Sequence, residues 1–523
     1  MMTPFALLLA LLAQTEPEQE TVAPADPEAV RGQITASVTA EEVQAHVDFL
    51  AGPETRGRGT LTPGFDKAAE YVEQHLTTWG LEPAGEDGSY RVPVGLRCVV
   101  PSPQAFFEVR RGKDEIERLK LGVDFMPLAG GGEARVEGEA VFVGFAIEGG
   151  RTEKWQDLTK VQGKIVFAFT REPYADDPKD KRFAGLEATK YSEIRVKAKA
   201  VADAGGLALV LVPDPGMFPD EIGPVPNLLP QPINAGLPLR ALRHMTGYPD
   251  LPIMSVSRKV ATAIFEEDLD DYFLSIQKRK KPKALKAPSS LEVTLRPAVE
   301  EGVIPSYNLA AWVRGSDQDG ETVVIGAHLD HVGLNHWADA GKMRVHPGAD
   351  DNASGSAALL EIAQALADTK PREDILLLWF TGEENGLLGS RAYCENPLAP
   401  HESTLIMLNM DQIARTDPKS MNLGGLWDHP DLEKFSKRVA KNIKQKLKMD
   451  FDGGRELFQR SDHFSFYSKG VPVIFFFEGD IDSNPVYHKP GDVPSGIHAD
   501  KVMWVARQVL ATAWAFAGEG LRP

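Results

Sequence analysis

Four runs of apolar residues, ETVVIGAH (321–328), DILLLWF (374–380), STLIMLNMD (403–411) and VPVIFFFEG (471–479), constrain this chain more than any other feature. Each is short for a helix and too continuously apolar for a strand with one wet face, so all four read as strands buried on both sides. Helical periodicity lies among and after them, at 354–367, 430–448 and 500–516. Alternating strands and helices predict an α/β fold with a mainly parallel central sheet sandwiched by helices. In such sheets ligands bind beyond the carboxyl ends of the strands.

The residues at those ends are of the metal-binding kind. The first run leads into GAHLDHVG, where His328 and Asp330 are two apart and can face one side of an extended chain. That spacing lets Asp330 accept a hydrogen bond from an imidazole whose other nitrogen binds a metal. A loop follows to GADDNASG, in which Asp350 and Asp351 precede a helix start and would also serve as simple N-terminal capping. The second run ends in TGEENG with Glu383 and Glu384, the third in Asp411, and the fourth leads to YHKPGDVP with His488. Each has an ordinary explanation alone. Together they form a mixed N/O set suited to zinc, with cobalt or manganese as alternatives. Five ligands exceed the usual three of one catalytic zinc and suit two metals about 3.5–4 Å apart. His331, His336 and His346 read as ordinary loop histidines, and Ser461, Asp462 and His463 of FQRSDHFSF as lining a substrate site.

Upstream, Thr39 and Glu42 form a capping-box pattern before a helical segment, and a second helix is expected at 65–79. Between them lies ETRGRGTLTPG, a turn-rich loop with two arginines. From about 121 to 288 the character changes to short β-like runs divided by Pro and Gly, ending in the basic stretch KRKKPKALKAP, read as a solvated linker. The N-terminal run from Phe5 to Ala13 is shorter than the roughly 20 residues a membrane span needs, and reads as a signal-peptide core without a basic flank. Export is therefore expected, without a transmembrane span. The net charge of −18 speaks against nucleic acid as a partner. Cys98 and Cys394 leave their pairing open, and oligomeric state is not legible.

The ordered motifs GAHLDHVG, PGADDNASG, TGEENGLLGS, LNMDQIAR, SDHFSF and YHKPGDVP resemble the zinc-dependent aminopeptidases of family M28. The likeness extends to residues 54–85, and the β-rich stretch resembles the protease-associated (PA) domain many members carry. It implies four parts: a signal peptide and leader at 1–34, catalytic-domain segments at 35–120 and 291–523, and a PA-like insert at 121–290. It implies two zinc ions (Zn2+), with Asp350 as bridging ligand, His328 and Asp411 completing one site, and Glu384 and His488 the other. Glu383 becomes the general base that activates a water shared by the metals, Asp330 orients His328, and Tyr487 stabilises an oxyanion. The implied substrate is the N-terminus of a peptide or protein. A carboxypeptidase, amidohydrolase or glutaminyl-cyclase-like enzyme on the same scaffold is the alternative, for which Arg460 or Arg455 would hold a carboxylate. A noncatalytic binding protein is the third reading, disfavoured by the complete ligand set.

Overall fold

The computed structural model describes residues 26–149, 155–175, 177, 179–181, 183, 189–216, 223–224, 231–232, 247–278, 283–317, 320–335, 344–427, 429–478 and 484–522. The signal-like run, most of the leader, His336 and the basic residues 279–282 lie outside them.

The main sheet contains β1 (Arg91–Pro101), β2 (Val299–Val313), β3 (Thr322–His328), β4 (Asp374–Phe380), β5 (Thr404–Met410), β6 (Ser420–Gly424) and β7 (Val473–Phe477). Their order across the sheet is β1-β2-β4-β3-β5-β7-β6. The four runs singled out in the sequence form its parallel centre, β4-β3-β5-β7, and the flanking pairings β1-β2, β2-β4 and β7-β6 are antiparallel. His328 pairs with Phe380, Gly326 with Asn409, and Met410 with Phe476, so the carboxyl ends of these strands finish nearly flush. That register is what gathers polar residues from distant segments along one edge.

One face of the sheet is covered by α1 (Ala40–Leu50), α2 (Gly355–Leu366) and α3 (Ala499–Ala517), which pack on one another and, through α2 and α3, on β3. Most residues of α2 are buried, as a helix apolar on nearly every side requires. Only half of the expected capping box forms: the Thr39 side chain accepts from the Glu42 N–H, but the Thr39 N–H donates to Glu361 Oε2 at 3.2 Å. The opposite face packs Phe380 against Phe466 and Tyr393, from the short helices His463–Tyr467 and Leu388–Glu395. Each fully buried Leu, Ile or Phe in these layers contributes about 1.5–3 kcal/mol.

A second unit has its own core, running from Ala105 to Ala298. Its six-stranded sheet has a parallel centre formed by Ala140–Phe142, Ile165–Phe169, Ala208–Val212 and Ile253–Val256. The core is wider than the expected 121–290. Phe106–Arg111 pairs antiparallel with Leu291–Arg296, and Phe107, Val109, Leu291, Val293 and Leu295 all point into it. The stretch read as a linker also contributes: Leu285–Lys286 pairs with Val141 and Phe142 as an edge strand. Cys98 and Cys394 are both buried free thiols. Among the described residues no helix is long and apolar enough to cross a membrane.

Candidate metal centre

The flush strand ends bring His328, Glu383, Glu384 and Asp411 to one edge, and the segment after β7 adds His488. The His328 ring is fixed by Nδ1, which donates to the main-chain carbonyl of Asp330 at 3.0 Å. The Asp330 carboxylate lies 3.9 Å from that nitrogen, so it does not orient the ring as expected. It instead accepts from the backbone N–H groups of Glu383 (3.1 Å) and Glu384 (3.4 Å) and from the Thr60 hydroxyl (2.8 Å). Asp330 thus holds the glutamate turn in place. Gly382 and Gly386 have φ of 64° and 105°, the left-handed region that the turn needs.

The carboxylate that faces both imidazoles is Asp351, where Asp350 was expected. Asp350 turns away: its carboxylate accepts from the Ala414 N–H (2.8 Å) and the Asn484 amide (3.2 Å). Asp351, with φ −106° and ψ 98°, is extended, so its side chain points oppositely to its neighbour's. Its Oδ1 is 3.4 Å from His328 Nε2 and its Oδ2 is 3.0 Å from His488 Nε2. One carboxylate therefore presents an oxygen to each imidazole. Asp411 Oδ1 lies 3.3 Å from His328 Nε2, and Glu384 Oε2 lies 3.0 Å from His488 Nε2. His488 reaches in from a left-handed backbone, φ 50°.

Electrostatics make this donor set fit a divalent cation. Four carboxylates, Asp351, Glu383, Glu384 and Asp411, converge with almost no exposed area; the Glu383 and Glu384 side chains are 11% and 8% exposed. Two like charges about 4 Å apart repel by on the order of 4 kcal/mol at an effective dielectric of ~20. Burial would lower the His328 imidazole, but Asp411 and Glu383 outweigh it and hold its pKa well above the ordinary value. His488 is likewise raised, against burial, to about 10 by Glu384 and Asp351. Burial and Asp351 would raise Glu384, yet His488 and His331 bring it down to about 2. Burial also opposes the shift of Asp351, which His328 and His488 hold well below the carboxylate range. Glu383 goes the other way: burial pushes it well above that range, and Asp411 and Glu384 add to the effect against His328. Asp351 and Glu384 are thus pushed down while the adjacent Glu383 is pushed up, a divergence of the kind an acid/base group shows.

Residues 308–513 match the model of peptidase family M28. The chain is similar to that family through this segment. A protein of Arthroderma otae named "Probable leucine aminopeptidase" is 32% identical over 205 residues, covering 37% of this chain and 54% of that protein. A leucine aminopeptidase of Sclerotinia sclerotiorum is 29% identical over 214 residues, covering 38% and 54%. The chain thus spans about half the length of the curated relatives it matches. The structure titled as a zinc aminopeptidase from Bacillus subtilis aligns over 92% of this chain and 95% of its own, with 18% identity and a TM-score of 0.48.

A pocket in the M28 segment opens on Asp351, Glu383, Asp411 and His488, with Leu457, Phe475 and Phe477 as its apolar wall and Arg460 and Tyr487 beside it. The Tyr487 ring stacks on His488 at 3.9 Å, and its hydroxyl accepts from Arg460 at 3.2 Å. Burial, with Asp351 and Glu384, raises the phenol, which therefore keeps its proton. Arg460 alone of the four expected substrate residues reaches the pocket. Ser461, Asp462 and His463 are buried at the start of the helix His463–Tyr467. Ser461 accepts from Asn409 (2.9 Å), and His463 stacks 4.0 Å from Phe475 on the side away from solvent. Burial drives His463 down to about 3 and Asp462 up to about 7.

Two residues bear on the centre that the sequence did not single out for it. His331, read as a loop histidine, is buried with Nδ1 2.7 Å from Glu384 Oε1. Arg58, from the RGRG turn, is fully buried and donates to the carbonyls of Leu50 (2.6 Å), Pro347 (2.7 Å), Leu329 (2.9 Å) and Gly348 (3.0 Å). It ties the end of β3 to the loop that carries Asp351.

Proposed function

We propose that this protein is an exported di-zinc aminopeptidase. The observation that supports it most is Asp351, whose two oxygens face two imidazoles that each have a further carboxylate partner. His328, Asp411 and Asp351 would hold one ion, and His488, Glu384 and Asp351 the other. Bound zinc would supply Lewis-acid polarisation of a peptide carbonyl and a lowered pKa for water. Glu383 takes the proton of the attacking water and returns it to the leaving amine, a role consistent with a carboxyl held high by its surroundings. The protonated Tyr487 hydroxyl donates to the developing oxyanion, and Arg460 restrains that hydroxyl. The apolar wall of Leu457, Phe475 and Phe477 suits an uncharged side chain, and the acidic pocket suits a free amine.

We read the 105–298 unit as a protease-associated insert on the resemblance of its sequence, and export on the apolar run at 5–13. N-terminal sequencing of the mature protein tests the latter. For the activity, free and N-acetylated peptides are compared with and without chelator. Turnover confined to free N-termini and abolished by chelation is expected. Cleavage indifferent to acetylation would sink the aminopeptidase reading, and cleavage dependent on a free C-terminus would replace it with a carboxypeptidase.

A further inference from the structure

We infer that His331 is a positioning residue for the half-site of Asp351, Glu384 and His488; this deepens the two-metal reading and rests on it. The geometry is asymmetric in an informative way. His488 Nε2 lies 3.0 Å from Glu384 Oε2 and 3.0 Å from Asp351 Oδ2. His331 Nδ1 lies 2.7 Å from Glu384 Oε1 and 3.9 Å from Asp351 Oδ1, the other oxygen of each carboxylate. The two rings stand edge to face, with centroids 5.5 Å apart at 74°. They therefore take opposite edges of the same carboxylates. An N–H held against Oε1 leaves Oε2 as the free donor and stops Glu384 from rotating, the usual effect of a partner behind a ligand.

The ring's seat is specific. His331 Nε2 is buried with no hydrogen-bond partner among the described residues, so the ring's proton belongs on Nδ1, where a carboxylate accepts it. Gly348 has φ 62°, and a Cβ there would come within 2.5 Å of the His331 ring, so only glycine leaves room. The His331 N–H donates to the Arg58 carbonyl at 3.2 Å, anchoring the residue to the N-terminal loop. The contact with Oε1 is shorter than either His488 contact.

The test is calorimetric titration of metal-free protein with Zn2+, read alongside the absorption spectrum of the Co2+ form. Wild type is expected to bind two ions. His331→Ala should weaken one binding event by about 10–100-fold and leave the other unchanged. His331→Asn places an amide nitrogen where Nδ1 stands and should restore the affinity, whereas His331→Gln, one carbon longer, should not. Alanine binding both ions as tightly as wild type overturns the inference. So does an asparagine variant as weak as glutamine, which would make His331 a direct ligand; this contrast decides the matter even if the alanine variant does not fold. A wild type that binds fewer than two ions overturns the two-metal reading itself, a result distinct from either.

Discussion

Both parallel sheets of this protein carry buried charge beyond their carboxyl ends, and the two edges treat it differently. In the 105–298 unit, the Lys197 ammonium donates to the Phe145 carbonyl, and the Asp157 carboxylate accepts from the N–H groups of Phe145 (3.0 Å) and Ile147 (3.1 Å). Arg171 pairs with Asp214, and Glu172 accepts from the Thr189 N–H at 2.9 Å. Burial still shifts these groups strongly, Asp157 up to about 7 and Lys197 down to about 8. At the edge of the main sheet the shifts are as large, but there imidazoles and carboxylates converge beside a pocket, whereas Lys197 and Asp157 are taken up by backbone groups and Arg171 by its one carboxylate partner Asp214. A perturbed pKa therefore does not mark a site by itself. Where the hydrogen-bonding capacity points decides it.

The sharpest way to break this contrast is at the shared carboxylate. Asp351→Ala should abolish turnover and lower bound zinc, measured by metal analysis after dialysis, because both half-sites lose a ligand. Asp350→Asn should retain both ions; the reverse pattern would return the bridging role to Asp350. Next, Glu383→Gln should lose about 10²–10⁴ in kcat with the metals retained, since only proton transfer is removed. At the other edge, Asp214→Ala breaks the buried ion pair with Arg171 and should cost about 3–5 kcal/mol in urea unfolding. Activity per folded molecule should not change, and a loss of bound zinc there would erase the distinction between the edges. The smallest effect is in pH. The folded pKa of Lys197, about 8, lies below its unfolded value of 10.5. Between these the unfolded chain binds more protons, so this group makes stability rise with pH from about 8 to 10.5. Lys197→Met should flatten that slope, while Asp157, raised from 3.8 to about 7, contributes a fall in stability as pH climbs through that lower window. An unaltered stability profile in Lys197→Met would mean the group is not held as described.

The central sheet was legible because buried parallel strands leave an unbroken apolar signature, and its ends were legible because imidazoles and carboxylates recurred there. What remained hidden depended on single backbone angles and on burial. Asp350 and Asp351 are equivalent as letters, and the extended conformation at 351 selects between them. The serine, aspartate and histidine at 461–463 are polar in type, yet the short helix they open packs them behind β5 and β7. His331 carried no pattern beyond its nearness to Asp330. The limits of the second unit were missed because Phe106–Arg111 and Leu291–Arg296 join only across 180 intervening residues, a pairing that local periodicity does not contain.

The Arg58 clamp bears on how such a chain comes into being. The carbonyl of Leu329 lies 271 positions after Arg58 and that of Pro347 lies 289 positions after it. At translation rates of roughly 5–20 residues per second these two partners follow Arg58 by on the order of 15–60 s, whereas the carbonyl of Leu50 precedes it. Residues 308–513, the stretch that matches the family model, do not include Arg58. Expressed alone they would lack the cation that ties the Asp351 loop to the strand.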